Sequence, residues 1–433
     1  MRPAQWSHAA QVFVALTALV VITQSVSLVL RASSDKSDVG VFYRSARLLN
    51  EGAGADFYTE RDTATGWYRT IPPAGLVIFQ PLARLNRTAA GCIWAVLNVA
   101  FLVTAVLALG AYITCIDYER QYYQDAFPWI VGVLALLASE SIHVGQFSVL
   151  FVACWIFSLA ALARGRSSWA GLSLALPSVI KLYPALMLAV PLAGCRRRWA
   201  SVIAFFFLGV LVFGAIVPFV ALGPRAWELT ESFLLNAILG GEGRVAGYTL
   251  LGGSNQGLDS VLLRYLTDSP AFHSRHRSIP HLALDRQVVL QLANWLRAAI
   301  LITTIATVVR SRCRLDRYPL NALMHFAALW SATLYVILPE TKARYAVYTV
   351  LAFLPMCMRA SRARAECNRA AFVAWFGTIV LCLVMVLQAF PTWVYPFGIG
   401  YVGQLALWAL NVKQTAYMRA ASESLGHSPA GTT

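Results

Sequence analysis

An all-α bundle of transmembrane helices is the fold class this sequence predicts, and three observations predict it. Of 433 residues, 58% are hydrophobic and only 13% charged, with a mean hydropathy of +0.61. A soluble domain carries about 25% charged residues, so roughly half the usual surface charge is missing. Apolar stretches such as 11–30 and 201–222 are long enough to cross the ~30 Å hydrocarbon layer as helices. They are apolar on every side and do not alternate, which excludes a β-barrel. Third, the basic residues gather in short clusters between apolar runs, at 196–198, 310–317 and 359–369, as loops on the cytoplasmic side do. Placed this way, the formal net charge of +15 reports membrane topology and not nucleic-acid binding, for which there is no recognisable module.

Parity then orders the elements. The N-terminus, the tip at 164–166, the three arginine clusters and the tail 413–433 belong on the cytoplasmic side. A first helix at about 10–31, retained and not cleaved, leads out to a polar segment, 32–70, with an amphipathic helix on the outer surface. Helices 200–222 and 288–309 enclose a second long outer segment, 223–287. Helices 319–338 and 345–358 enclose an outer turn, 339–344, and helices 371–390 and 395–412 form a last hairpin. The expectation is about 10–12 transmembrane helices in one membrane-embedded domain, 1–412, of a multi-pass inner-membrane protein. The Ser/Ala/Gly-rich stretch 420–433 is expected to be disordered.

Two stretches interrupt the pattern. Residues 71–85 open with Pro72-Pro73 and are too short for a span, which predicts a re-entrant or interfacial segment. Residues 168–194 are broken by Lys181-Leu182-Tyr183-Pro184, which predicts two short helices turning near the outer surface. Both point to a cavity opening outward.

Chemistry-bearing residues concentrate on those outer segments. Asp38 either caps the amphipathic helix or acts as a general base. Lys181 has apolar flanks, and either snorkels to the surface or faces an anion such as a lipid phosphate. His143, Gly145 and Gln146 in SESIHVGQ form a polar turn between two apolar helices, while Asn255, Gln256 and Arg264 precede or open a helix in SNQGLDSVLLRYL. Glu340, Lys342 and Arg344 stand on the turn LPETKARYAVY, where positive charge runs against the cytoplasmic preference and calls for an anion. His273, His276 and His281 could hold a metal but lack regularly spaced partners and read as a solvated loop. The eight cysteines show no CxxC, so neither a disulfide framework nor a zinc site is expected. Walker, Rossmann, HExxH and GxSxG signatures are absent. A transporter or lipid flippase is the competing class; it predicts charges buried mid-helix and paired inverted halves, neither of which is visible.

In order along the chain, Asp38 with Phe42-Tyr43, YRTIPPAGLVIFQPL, HVGQFSVLFV, the IKLYP block followed by an arginine cluster, and SNQGLDSVLLRYL resemble glycosyltransferase family 87 of the GT-C superfamily. The resemblance runs from about 35 to 350. The family's first motif often reads DFxxYY, where this chain has Asp38-Val39-Gly40-Val41-Phe42-Tyr43. The resemblance implies an inverting mannosyl- or arabinofuranosyltransferase using a polyprenyl-phosphate sugar, acting on a lipid- or glycan-linked hydroxyl at the outer face, with no cofactor or metal. Asp38 corresponds to the catalytic base, Lys181 to the lysine of the KxxP block and Gln146 to the glutamine of the GQ motif. On this reading Lys181, Arg264, Lys342 and Arg344 receive the donor phosphate. Tyr43, His143, Gln146, Asn255, Gln256 and Glu340 surround the substrates.

Overall fold

A computed structural model describes residues 8–32, 37–66, 68–116, 120–194, 198–238, 255–268, 282–311, 319–338, 340–389 and 391–425. The protein is an all-α, multi-pass helical bundle. Seven helices are long and apolar enough to cross a membrane. These are α1 (His8–Ala32), α4 (Arg87–Ile113), α5 (Arg120–Val144), the run Trp199–Leu222, α13 (Arg286–Ser311), α14 (Pro319–Ile337) and α16 (Arg369–Val386). Shorter apolar helices, α6 (Ser148–Ala163) and α7 (Ser167–Ile180), pack among them. The chain then turns through a 3-10 segment, Tyr183–Leu188, into α8 (Ala189–Gly194).

Burial sorts these helices by what they face. Leu16, Leu19 and Ile22 of α1 are more than half exposed, as is Ile302 of α13. Apolar side chains turned outward in this way suit a lipid solvent. By contrast α14 is buried along almost its whole length and forms the axis of the core. Where α7 meets α9 (Trp199–Leu211), Gly171 makes the approach possible: a Cβ there would lie 2.3 Å from the Val202 carbonyl oxygen. Small residues at such crossings allow the backbone-to-backbone packing on which membrane helices rely. After α9 the helix widens into a π segment, Val212–Ile216, before α10 (Val217–Leu222). Pro218 supplies the reason, because it lacks the N–H that a regular turn requires.

The interruptions read from sequence are present. Residues 71–85 do not span; they form α3 (Pro73–Val77) and a 3-10 turn, Leu82–Arg84. Pro72 lies in the extended region and Pro73 starts the helix, the position where a missing N–H is harmless. Phe79 from this segment joins Phe42, Trp94 and Phe147 in an aromatic cluster with ring centroids 4.5–5.5 Å apart. That cluster ties the segment to α2 (Asp38–Asn50), α4 and the entry of α6. Beyond α2, Arg44 holds Asp62 through two hydrogen bonds, of 2.9 and 2.7 Å, and Tyr58 donates to the Ile71 carbonyl at 2.8 Å. The described part of the segment 32–70 is therefore folded onto the bundle.

In the second long segment the described parts are α11 (Arg225–Ser232), a π turn Phe233–Ile238, and α12 (Leu258–Leu266). The glycine-rich stretch 240–243 and the histidines 273, 276 and 281 lie outside the described residues. After α14 a 3-10 segment, Ala343–Thr349, leads into α15 (Val350–Ala365). Boundaries differ from expectation at two helices: α15 starts after 345 and runs to Ala365, through most of the arginine cluster read as a loop, and the final helix, α17 (Ile399–Leu425), continues past 412 into the stretch expected to be disordered. Ala, Met, Arg and Glu in 416–425 are good helix formers, and a helix once nucleated by the apolar run extends through them.

The two ends of the bundle differ. At one end Arg198 packs against Gly165, and Arg362 lies 5.7 Å over the Tyr122 ring near the start of α5. At the other end of α5 are Gly145 and Gln146. A 25-residue helix separates these ends by roughly 37 Å.

Gly145 fixes the second end. Its φ is +75°, and a Cβ would lie 2.7 Å from Val39 Cβ and 2.8 Å from Leu28 Cδ1. Its carbonyl accepts from Trp94 Nε1 at 2.9 Å. Gly145→Ala should therefore lower unfolding stability by about 2–4 kcal/mol, combining left-handed strain with overpacking. Gly377→Ala, in α16 with open space around it, should leave stability unchanged or slightly higher. Thermal unfolding of both variants in detergent checks the contrast.

Candidate functional site

The site begins with a capped helix. Ser37, not Asp38, is the N-cap of α2: its backbone is extended and its hydroxyl accepts from the Gly40 N–H at 3.1 Å. The capping role read for Asp38 thus falls to its neighbour, because only the residue before the first helical turn has the backbone angles that aim a side chain at those N–H groups. Asp38 is the first helical residue, 7% exposed, and turns into the bundle. Its Oδ2 accepts from Gln146 Nε2 at 2.7 Å and from Arg344 Nη1 at 2.7 Å. Its Oδ1 has no hydrogen-bond partner among the described residues and is not sealed off.

Arg344 links this carboxylate to a second. Its Nη2 lies 3.3 Å from Glu340 Oε1, and that oxygen is 2.6 Å from Lys342 Nζ. Burial disfavours the Glu340 charge, but Lys342 and Arg344 together hold its carboxyl below the ordinary range. Burial likewise works against the Arg344 guanidinium, and Tyr345, Asp38 and Glu340 reverse it, so its affinity for the proton rises.

Lys181 faces the same group from the break after α7. Its Nζ lies 4.8 Å from the Tyr345 ring centroid and 5.8 Å from that of Tyr183. It forms no direct ion pair or hydrogen bond among the described residues, so its three donors are unspent. Lys181 is half-buried, so open space remains beside it, a recess among these charged and aromatic side chains. Desolvation and the nearby Arg344 pull its pKa down to about 8 against the opposing pull of Glu340 and Asp38. The aromatic wall behind it is fixed: Tyr183 Oη and Tyr348 Oη are 2.6 Å apart, Ser148 Oγ is 3.0 Å from Tyr348 Oη, and Ser331 bonds the Tyr348 carbonyl.

A polar brace holds the turn 340–344 from the opposite side. Asn255 Oδ1 accepts from the Thr341 N–H at 3.0 Å and the Gly257 N–H at 2.9 Å. The Gln256 N–H donates to the Thr341 carbonyl at 2.8 Å, and Gln404 Nε2 donates to Thr341 Oγ1 at 3.0 Å. Gln256 Nε2 also reaches the Tyr395 carbonyl at 2.8 Å. Arg264 is fully buried and gives its guanidinium to the carbonyls of Pro396 at 3.1 Å and Asn255 at 3.0 Å, and to Ser260 Oγ at 2.6 Å. Burial lowers its pKa to about 10.

The structure thus brings Asp38, Gln146, Lys181, Glu340, Lys342 and Arg344 together. It sets Asn255, Gln256 and Arg264 behind the turn, on main-chain groups. Tyr43 points elsewhere, donating to the Leu85 carbonyl at 2.6 Å. His143 stands half-buried at the end of α5, its Nδ1 buried without a hydrogen-bond partner. Residues not singled out from sequence are Thr341, Tyr345 and Tyr348, and Glu140, which lies within electrostatic range of Asp38, Arg344 and Arg31. A carboxylate inside an apolar helix was the available signal for Glu140.

Because Arg264 satisfies buried carbonyls, Arg264→Met should cost about 2–4 kcal/mol by leaving two or more acceptors unpaired. The same variant should release the 340–344 turn, which hydrogen exchange at the Gln256 amide reads directly.

The family model for glycosyltransferase family 87 matches residues 70–339. No curated protein and no solved structure matches the chain. The matched stretch holds Gln146, Lys181, Asn255 and Gln256, while Asp38, Lys342 and Arg344 flank it and converge on it in space. A match over more than half of the chain, on an all-α membrane bundle with a charged recess at one end, makes this protein a member of glycosyltransferase family 87.

Proposed function

We propose that this glycosyltransferase moves a sugar, mannose first among the candidates, from a polyprenyl-phosphate donor to a hydroxyl of a lipid- or glycan-linked acceptor. The observation that carries the reading is the division of the recess into unspent cationic donors around Lys181 and a carboxylate with an open oxygen, Asp38, bridged by Arg344. The donor phosphate meets Lys181, Lys342 and Arg344, while its prenyl chain stays in lipid. The acceptor hydroxyl meets Asp38 Oδ1.

In one displacement the acceptor oxygen attacks the anomeric carbon and Asp38 takes the hydroxyl proton. The bond from that carbon to the phosphate oxygen breaks, and its electron pair leaves on the phosphate. The cations stabilise the growing phosphate charge, most effectively where water is excluded. One displacement inverts the anomeric configuration, and the scheme uses no cofactor and no covalent glycosyl intermediate. The bundle end that carries Arg198 and Arg362 lies opposite the recess. The preference of such clusters for the cytoplasm supports an outward-facing site in a bacterial inner membrane.

Radiolabelled transfer from defined polyprenyl-phosphate mannose and arabinofuranose in membranes containing the protein tests the donor class. Label transferred from neither donor overturns it. In the same assay Asp38→Asn should lower transfer about 10²–10⁴-fold, the usual consequence of losing a general base. Helix α2 keeps its Ser37 cap in this variant, so expression should be normal. Transfer within a few-fold of wild type would remove Asp38 from the base role.

Lys181 generates a pH prediction. Its pKa of about 8 means the ammonium is present below that value and lost as pH rises through it. Donor kcat/KM should therefore be level at pH 6–7 and fall above about pH 8. Lys181→Arg stays charged throughout, so this alkaline fall should disappear even if activity is lower. Lys181→Ala should raise donor KM about 10–100-fold, as expected for a charge-assisted hydrogen bond.

A further inference from the structure

We propose that Glu140 is an acceptor-binding residue, and that with Asp38 and Gln146 it selects an acceptor bearing neighbouring hydroxyls, a sugar or similar polyol, over a simple alcohol. The inference rests on the reading of the recess as a hydroxyl-glycosylating site. Glu140 sits one turn before the end of α5, on the same face as His143 and Val144. Arg31 at the end of α1, Asp38 on α2, Arg344 after α14 and Tyr395 before α17 all lie within electrostatic range of it. Yet its half-buried carboxylate forms no hydrogen bond or ion pair among the described residues. Arg31, the cation that acts on it most strongly, is exposed and forms no ion pair with it among the described residues, and Arg344 is already held by Asp38 and Glu340.

Independent orphans point the same way. Gln146 is 4% exposed; its Nε2 is committed to Asp38, and its Oε1 is buried with no partner. Because the amide orientation is fixed by the carboxylate it donates to, Oε1 can only accept. Asp38 Oδ1 is a further open acceptor. One side of the recess therefore holds a surplus of acceptors, and unpaired acceptors at such depth are costly unless a ligand supplies hydrogens. Phosphate, itself an acceptor, cannot do so. Hydroxyls can, and a carboxylate takes two adjacent hydroxyls in a bidentate fashion. The cation side of the recess suits the donor phosphate, and this side suits a polyol.

The test compares wild type with Glu140→Gln, both in lipid nanodiscs, for equilibrium binding of tritiated octyl α-mannoside, octyl β-glucoside and octyl β-galactoside, with 1-octanol as the single-hydroxyl control. At least one octyl glycoside should bind the wild type and bind Glu140→Gln about tenfold more weakly, while octanol binding is unchanged. If none of the glycosides binds the wild type above octanol, the inference is overturned. Equal weakening for glycoside and octanol would mark a structural role, and no weakening would mark no role; either overturns it. Should Glu140→Gln fail to insert, Glu140→Asp, which withdraws the carboxylate by one methylene, serves the same comparison. Because binding is read without donor, failure of the labelled-donor assay counts against the donor reading alone and leaves the Glu140 result to stand by itself.

Discussion

Arg344 is the cation on which two carboxylates converge, and the arrangement around it follows from the expense of unpaired charge at the edge of a membrane. Asp38 can turn inward only because Arg344 and Gln146 meet its Oδ2. Glu340 can be buried only because Lys342 and Arg344 share its Oε1. The pairing must also be exact in position, since attraction between charges repays desolvation only at hydrogen-bond distance. That requirement explains why so much polar structure stands behind the turn. Thr341 is held through its N–H, its carbonyl and its hydroxyl by Asn255, Gln256 and Gln404, and Arg264 in turn holds the Asn255 carbonyl. The charged residues of the turn are positioned by residues that do not touch the two carboxylates.

The front of the site is held by packing instead. Phe42, Phe79, Trp94 and Phe147 interlock beneath α2, and Trp94 also bonds the Gly145 carbonyl. Aromatic rings suit this place because they supply large contact area with few rotatable bonds, and edge-to-face pairs add directionality. Asp38 and Gln146 are thus set by a rigid apolar wedge on one side and a hydrogen-bonded turn on the other. The recess between them is lined on its cationic side by Tyr345 and Tyr183, whose ring faces offer Lys181 a weak attraction that a phosphate would outcompete.

The helical bundle and its two interruptions were legible because membrane solvent makes long apolar runs and prolines unambiguous. Pro72-Pro73 could not continue a span, and Lys181-Leu182-Tyr183-Pro184 could not remain helical. The site was legible only in part. Asp38, Gln146, Lys181 and the 340–344 turn stood out because polar residues flanked by apolar ones need partners. Which partner each takes is a matter of long-range geometry: nothing local distinguishes Arg264, used on carbonyls, from Arg344, used on Asp38. Ser37 and Asp38 are equally good caps by residue type, and one position of backbone angle decided between them. Thr341 gave no signal, since its importance lies in its main chain. The end of α17 was misjudged because composition alone marks polarity, while helix continuation depends on what precedes it.

Asp38 and Arg344 are 306 residues apart in the chain, and this separation has a consequence for biogenesis. During synthesis Asp38 leaves the ribosome long before its cation does, and it must wait until α14 and the turn after it have been inserted. Until then the Asp38 carboxylate has the Gln146 amide but no arginine to match its charge. The Asp38–Arg344 pair can therefore form only after the hairpin of α14 and α15 has been made, and the brace from Gln404 on α17 comes later still. A chain truncated anywhere before residue 344 can hold most of its helices and still have no site. Quality control that senses unpaired charge at membrane depth would recognise such a chain as unfinished.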